Sequence, residues 1–148
     1  MWRSCSAGYS ARFDFDENSI IALDLACKLA AQHDAILYLT HVVPFPVAPV
    51  APGGAAPSSF FLLEPEAKMR LEQLGRERIP NTVRYEIMSR MGLPVEVIIR
   101  LEEELAADLV VMATHGHSRS SVGHLFLGSV AERVVRRSLC PVLVVPPP

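Results

Sequence analysis

Apolar positions fall into two alternating rhythms along this chain. IIALDLACKLAAQ follows a cluster of N-cap formers, Asp16-Glu17-Asn18-Ser19, with acids where a helix dipole favours them. Asp24, Lys28 and Gln32 form its one polar stripe, so a broad apolar surface predicts a helix pressed on a sheet. Ala35–Val43 (AILYLTHVV) is apolar almost throughout and rich in strand formers, as an interior parallel strand is. Further on, the spacing predicts a helix over Glu66–Arg78. Val83–Ile87 alternates apolar and charged residues, which predicts a half-exposed edge strand. Pro94 suits the first turn of a third helix over Val95–Ala106. A strand at Asp108–Thr114, a helix at Ser129–Arg137 and a strand at Val142–Val145 complete the chain.

Strands alternating with helices at this spacing predict an α/β fold, one open parallel sheet with helices on both faces. In such sheets a ligand sits at the carboxyl ends of the strands, where strand order reverses. The loop after Thr114 and the segment around Asp14 both fall at such ends. The residues before Asp14 (SAGYSARF) lack the apolar run of a central strand. Two outcomes are open there: a short, frayed strand over Ala11–Asp14, or an N-terminus that weakens the sheet. Between residues 44 and 58, five prolines and Gly53-Gly54 forbid regular structure and predict a surface loop. Neither flank could bury a core alone, so residues 1–148 read as one domain.

Composition narrows the function. A net charge of -2 without a long block of either sign removes the basic face that nucleic-acid binding needs. The longest apolar runs are strand-sized, too short for a membrane span, and the N-terminus has no apolar core of a signal peptide. Cys5, Cys27 and Cys140 are scattered, without a CxxC pair, which predicts free thiols in a reducing cytoplasm.

Candidate chemistry concentrates in Asp108–Val145. An apolar run, Leu109–Ala113, leads into a small polar loop that reaches Gly128-Ser129 at the start of an amphipathic helix. Strand, loop and helix N-terminus bring backbone N–H groups and the positive end of the helix dipole to one place, which suits phosphate. His115 and His117 flank Gly116, with His124 and Arg119 nearby. No Cys, Asp or Glu joins them, so donors to phosphate oxygens fit better than metal ligands. Ser118, Ser120 and Ser121 lack an orienting acid and a nucleophile-elbow context, which disfavours a hydrolase triad.

Several segments resemble the universal stress protein family: DENSIIALDLACKLA after an aspartate, ILYLTHVV, GLPVEVIIRLEEELAADLVVMATHG and LGSVAERVVRRSLCPVLVV. The resemblance runs from about Asp14 to Val145. It implies a five-stranded parallel sheet of order 3-2-1-4-5, of the adenine-nucleotide α-hydrolase-like kind, usually dimeric. The family's nucleotide-binding branch holds ATP through G-x2-G-x9-G-[ST], with an aspartate ending the first strand near the adenosine. Here Gly116 takes the second glycine and Gly128-Ser129 the final pair, while Ala113 stands where the first glycine would. Residues 117–127 make the intervening stretch two longer than the pattern. Asp14 takes the strand-end aspartate. Val42 or Val43, Met112, His115 and Val130 complete the implied lining.

The resemblance implies a cytoplasmic homodimer formed through Val142–Val145, binding ATP with Mg²⁺ or Mn²⁺ across its phosphates, in stress response or signalling with slow hydrolysis. Two alternatives stay open: a nucleotide-free dimer acting through protein contacts, and a slow nucleotide hydrolase.

Overall fold

The computed structural model describes residues 7–45, 60–114 and 127–147. The elements run β1 (Gly8–Arg12), α1 (Glu17–Gln32), β2 (Ile36–Val43), α2 (Phe60–Arg78), β3 (Arg84–Met91), α3 (Pro94–Glu104), β4 (Leu109–Ala113), α4 (Ser129–Arg137) and β5 (Val142–Val145). The strands form one five-stranded sheet in the order β3-β2-β1-β4-β5, and each paired neighbour is parallel. The expected α/β class and strand order are both observed.

Strand alternation sends odd-numbered positions to one face and even-numbered ones to the other. Tyr9, Ala11, Leu37, Leu39 and Val111 pack under α1 and α2, against Leu23, Ala26 and Leu71. Val42 and Met112 pack on the opposite side, against Val97, Ile98 and Leu101 of α3 and Val134 of α4. The order reverses between β1 and β4, because β1 leads leftward to β2 and β3 while β4 and β5 lie on its other side.

The first strand is well formed, in place of the short, frayed one over Ala11–Asp14. Gly8 to Arg12 pair with Ile36 to Thr40, and Tyr9 to Ala11 with Leu109 to Val111. Its odd positions supply the apolar stripe. At its start the other face is crowded: a Cβ on Gly8 would sit 3.2 Å from the Tyr38 ring and 3.7 Å from the Leu105 carbonyl oxygen. A central strand crowded on one face therefore reads as polar without being weak.

Two helix boundaries also move. α2 begins at Phe60, ahead of Pro65, instead of at Glu66; the proline deletes one backbone bond near the start and does not end the helix. α3 stops at Glu104 because Ala106, at φ 46, takes the left-handed position of a C-terminal cap. There Ala106 N–H donates to Glu103 O at 3.2 Å and Ala107 N–H to Glu102 O at 2.9 Å, the paired bonds of a Schellman motif.

Candidate functional site

The crevice at the β1–β4 reversal is built from two loops. After β1, Phe13 N–H still donates to Thr40 O at 2.8 Å, and Asp14 N–H donates to Ser19 Oγ at 3.1 Å. Phe15 then takes φ 58, a left-handed conformation that costs a non-glycine residue about 1–2 kcal/mol. Asp16 closes the turn as the α1 N-cap, its Oδ1 accepting from Ser19 N–H at 2.6 Å. The strained Phe15 backbone delivers its ring edge-on to Phe13 at 5.3 Å and His41 at 4.6 Å, with the Arg70 guanidinium 4.3 Å above it.

Asp14 lies two residues past the end of β1, not on its last residue, and forms an ion pair with Arg12 at 2.8 Å. Both side chains are largely buried. Burial pulls the Arg12 guanidinium below its ordinary value, opposed by the charges of Asp14 and Asp16. The Arg12 Nε and Asp16 Oδ2 atoms are buried without a hydrogen-bond partner among the described residues. His41 Nδ1 lies 2.6 Å from Phe13 O; a carbonyl can only accept, so this nitrogen carries a proton. Burial lowers the His41 pKa, the Phe13 bond and Asp14 opposing it.

On the other side of the crevice the backbone does the positioning. Thr114 N–H donates to Val145 O at 3.1 Å, and Gly128 N–H donates back to Thr114 O at 2.8 Å. The β4–α4 connection thus closes on itself and sets the start of α4 at the carboxyl end of β4. Gly128 is the N-cap and offers no side chain to the first-turn N–H groups, while Ser129 beside it is exposed. Among the described residues no N-cap side chain reaches the first-turn N–H groups of α4, the donors that a helix start offers to an anion. Ala113 is extended, the last residue of β4, and is absent from the left-handed residues. Glycine's conformational freedom is not needed there.

Of the sequence-predicted residues, Asp14, Gly128, Ser129 and Val130 come to this end of the sheet. Val42 and Met112 lie beneath it, 2% and 1% exposed, in the core shared with α3 and α4. Val43 instead reaches the cavity next to the crevice. His115 and Gly116 lie outside the described residues, as do His117, Arg119, Gly123, His124 and most of the 44–58 loop. Arg12, His41 and Arg70 escaped sequence reasoning. Their signal was weak: an arginine within a strand-like segment, and a histidine at a strand end.

No group of three or more His, Cys, Asp or Glu that could hold a metal ion is found among the described residues. No helix there is long and apolar enough to cross a membrane. Cys27 and Cys140 are free thiols; burial pushes Cys27 up to about 11 and raises Cys140 as well.

A parallel sheet with a crevice at the reversal of strand order, an aspartate on one lip and the start of α4 on the other, defines an α/β protein of the doubly wound kind. The model of the universal stress protein family matches residues 13–146, and this chain belongs to that family. Universal stress protein MJ0531 of Methanocaldococcus jannaschii is 33% identical over 138 residues, covering 91% of this chain and 79% of that protein. Universal stress protein A homolog 1 of Coxiella burnetii is 31% identical over 141 residues, covering 91% and 92%. Among solved structures, MJ0577 superposes with a TM-score of 0.78 at 26% identity, over 95% of this chain and 96% of that one. A universal stress protein in complex with cAMP superposes with a TM-score of 0.60 at 27% identity, over 96% and 98%.

Proposed function

We propose that this chain binds ATP or a related adenine nucleotide in the β1–β4 crevice and acts in stress response or signalling, with little or slow hydrolysis. The observation that carries the proposal is the α4 N-terminus, whose N-cap has no side chain, tied through Gly128 to the end of β4 beside the strand reversal. The phosphates would meet the first-turn N–H groups of α4, the Ser129 hydroxyl, and the loop bearing His115 and Gly116. Asp14 would accept from ribose or adenine donors. Ala113 and Val130 would border the phosphates, and Val42, Val43 and Met112 would shape the apolar floor. The cAMP complex of a relative 27% identical in sequence supports the ligand class. Mg²⁺ or Mn²⁺, if present, would be held chiefly by the phosphates.

The same proposal includes a cytoplasmic homodimer. β5 pairs only with β4 among the described residues, leaving an edge, and Val135 of α4 and Leu139 before β5 are exposed. A two-fold partner strand along Val142–Val145 would cover that edge.

The test is direct. Mass spectrometry of small molecules released from the purified, denatured protein is expected to find an adenine nucleotide. ATP with Mg²⁺ is expected to stabilise the fold by about 2.7 kcal/mol at a hundred times Kd. Asp14→Asn should weaken binding about tenfold, the size of one charge-assisted hydrogen bond. A protein with no adenine and no ATP-dependent rise in Tm would sink the proposal. It would favour the nucleotide-free dimer, a reading to which the Arg12–Asp14 pair lends weight by engaging the aspartate. Steady phosphate release lost in Asp14→Asn would favour the hydrolase instead.

A further inference from the structure

The sheet has a second edge, opposite β5. Among the described residues β3 pairs with β2 alone. Gly92 N–H donates to Val43 O at 2.9 Å, so the even-numbered residues of this strand turn their backbone groups towards β2. The odd-numbered ones turn theirs outward. Tyr85 and Ile87 have no backbone partner on that side among the described residues. Ser89 O accepts instead from the Arg90 guanidinium at 2.9 Å.

The even-numbered side chains share one sheet face. Arg84, Glu86 and Arg90 are exposed there, and Met88 between them is half-buried. Met88 and its β2 neighbours Ile36 and Tyr38 belong to neither core cluster, so this corner of the face carries apolar surface outside the packing of α3 and α4.

An open edge is a template for another strand unless its charges forbid pairing. Here the charges select a register. An antiparallel partner must set outward residues opposite outward residues, so odd numbers face odd numbers. For a second copy of β3, one register sets Ile87 opposite Ser89, Met88 opposite its own counterpart, and Glu86 opposite Arg90 on both sides of the axis. Shifting the second copy one way sets Arg84 opposite Arg90, and the other way leaves Glu86 with no charged residue opposite. A further shift sets Glu86, or Arg90, opposite itself. Joining Arg84 to Glu86 would pair only residues 84–86 of the strand, and Arg84 is already bridged to Asp34 at 3.0 Å.

We propose that β3 is a self-pairing edge: a second copy of this chain adds its β3 antiparallel, across a two-fold axis at Met88. Arg90 then leaves Ser89 O for Glu86 of the second copy, which frees the carbonyl for the Ile87 N–H opposite. This contact lies on the other side of the sheet from the β5 dimer and depends neither on that dimer nor on nucleotide.

Disulfide trapping in the full chain tests it. Residues opposite each other at a non-hydrogen-bonded position lie about 4.5 Å apart at Cα, within the span of a disulfide. Two Glu86 positions would lie about 14 Å apart along the strands. On oxidation Met88→Cys is expected to give a linked dimer, its bond mapped to position 88 by mass spectrometry of peptides, while Glu86→Cys gives none through position 86. Adding Glu86→Arg to Met88→Cys turns both ion pairs into like-charge pairs and should cut the trapped fraction about tenfold. Adding Arg90→Glu as well restores opposite charges in reverse and should recover it. Both charged positions are exposed, and an unchanged unfolding midpoint checks that the fold is intact. No link at position 88 overturns the proposal, leaving the charges as guards of a single edge. So does a link that Glu86→Arg leaves untouched, a loss that Arg90→Glu does not recover, or equal trapping through position 86.

Discussion

At the amino end of the sheet most polar groups are tied to one another, Glu102 Oε1 being buried without a partner among the described residues, whereas at the carboxyl end both Arg12 Nε and Asp16 Oδ2 are in that state. Gly8 N–H donates to Asp108 Oδ2 at 2.9 Å, and Asp108 N–H returns a bond to Gly8 O at 2.8 Å. Tyr9 Oη meets His33 Nδ1 at 2.6 Å. Glu102, only 4% exposed, accepts from Ser138 Oγ at 2.8 Å and from Leu139 N–H at 3.1 Å, fastening the end of α3 to the turn into β5. The opposite end carries the Arg12 Nε, unpartnered among the described residues, a helix start whose N-cap has no side chain, and the left-handed Phe15, whose strain is matched at the amino end by Asp34 and Ala106. An unmet buried donor persists where surrounding structure holds it in place, and a ligand site benefits from it. The contrast assigns stability to one end and binding to the other.

The strongest challenge to that division is Glu102→Ala. It removes the acceptor of the part-buried Leu139 N–H and one of two acceptors of the Ser138 hydroxyl, which keeps the Cys140 carbonyl at 2.8 Å, and should lower stability by about 1–2 kcal/mol. Urea unfolding should show an earlier midpoint at unchanged slope, while nucleotide affinity stays within about twofold of the parent. A large loss of affinity with little loss of stability would break the comparison.

Ala106→Gly should act in the opposite direction. Glycine fits the left-handed cap position that alanine occupies at φ 46, and the exchange should add about 1 kcal/mol. Binding at the far end should not change. A midpoint that fails to rise would mean that the Schellman cap is not strained by its alanine.

The smallest expected effect is pH-dependent and belongs to the carboxyl end. His41 is held below its ordinary pKa, chiefly by burial. The folded state therefore favours the neutral ring, and the unfolded chain binds the proton more readily. The contribution is complete above the unfolded value of about 6.5 and is lost as pH falls from there towards the lower folded value. Unfolding midpoints at pH 7.5 and 5.5 should differ more in the parent than in His41→Gln. Equal differences would remove His41 from the account.

The uneven legibility of the chain follows from these two ends. β2, β4 and β5 announce themselves because strands buried on both faces are apolar at successive positions. α1 does so through its N-cap and broad apolar surface, and α4 through its periodicity. β3 was placed at the edge by the alternation in Val83–Ile87, yet it runs on to Met91, in register with Val43, because pairing with β2 extends past the alternating stretch. β1 is hard to see, since Gly8 is small for a packing reason, Ser10 is polar though buried, and Arg12 is charged where the face opens into a cavity. Asp14 and Gly128-Ser129 were legible through spacing and resemblance, but the Arg12–Asp14 pair was not, because no local rule says which way a strand-end arginine turns.

Local patterning was enough to establish the element order, the parallel sheet and the strand ends at which a ligand would sit, since those depend on periodicities of two and 3.6 residues that neighbours along the chain express. Only the tertiary structure decided that Val42 and Met112 lie beneath the crevice and Val43 beside it, that Glu102 is an internal fastener, and that Arg12, His41 and Arg70 meet around Phe15. Those placements depend on which faces of separate elements are pressed together. Contacts between residues distant in sequence leave no periodic trace in it.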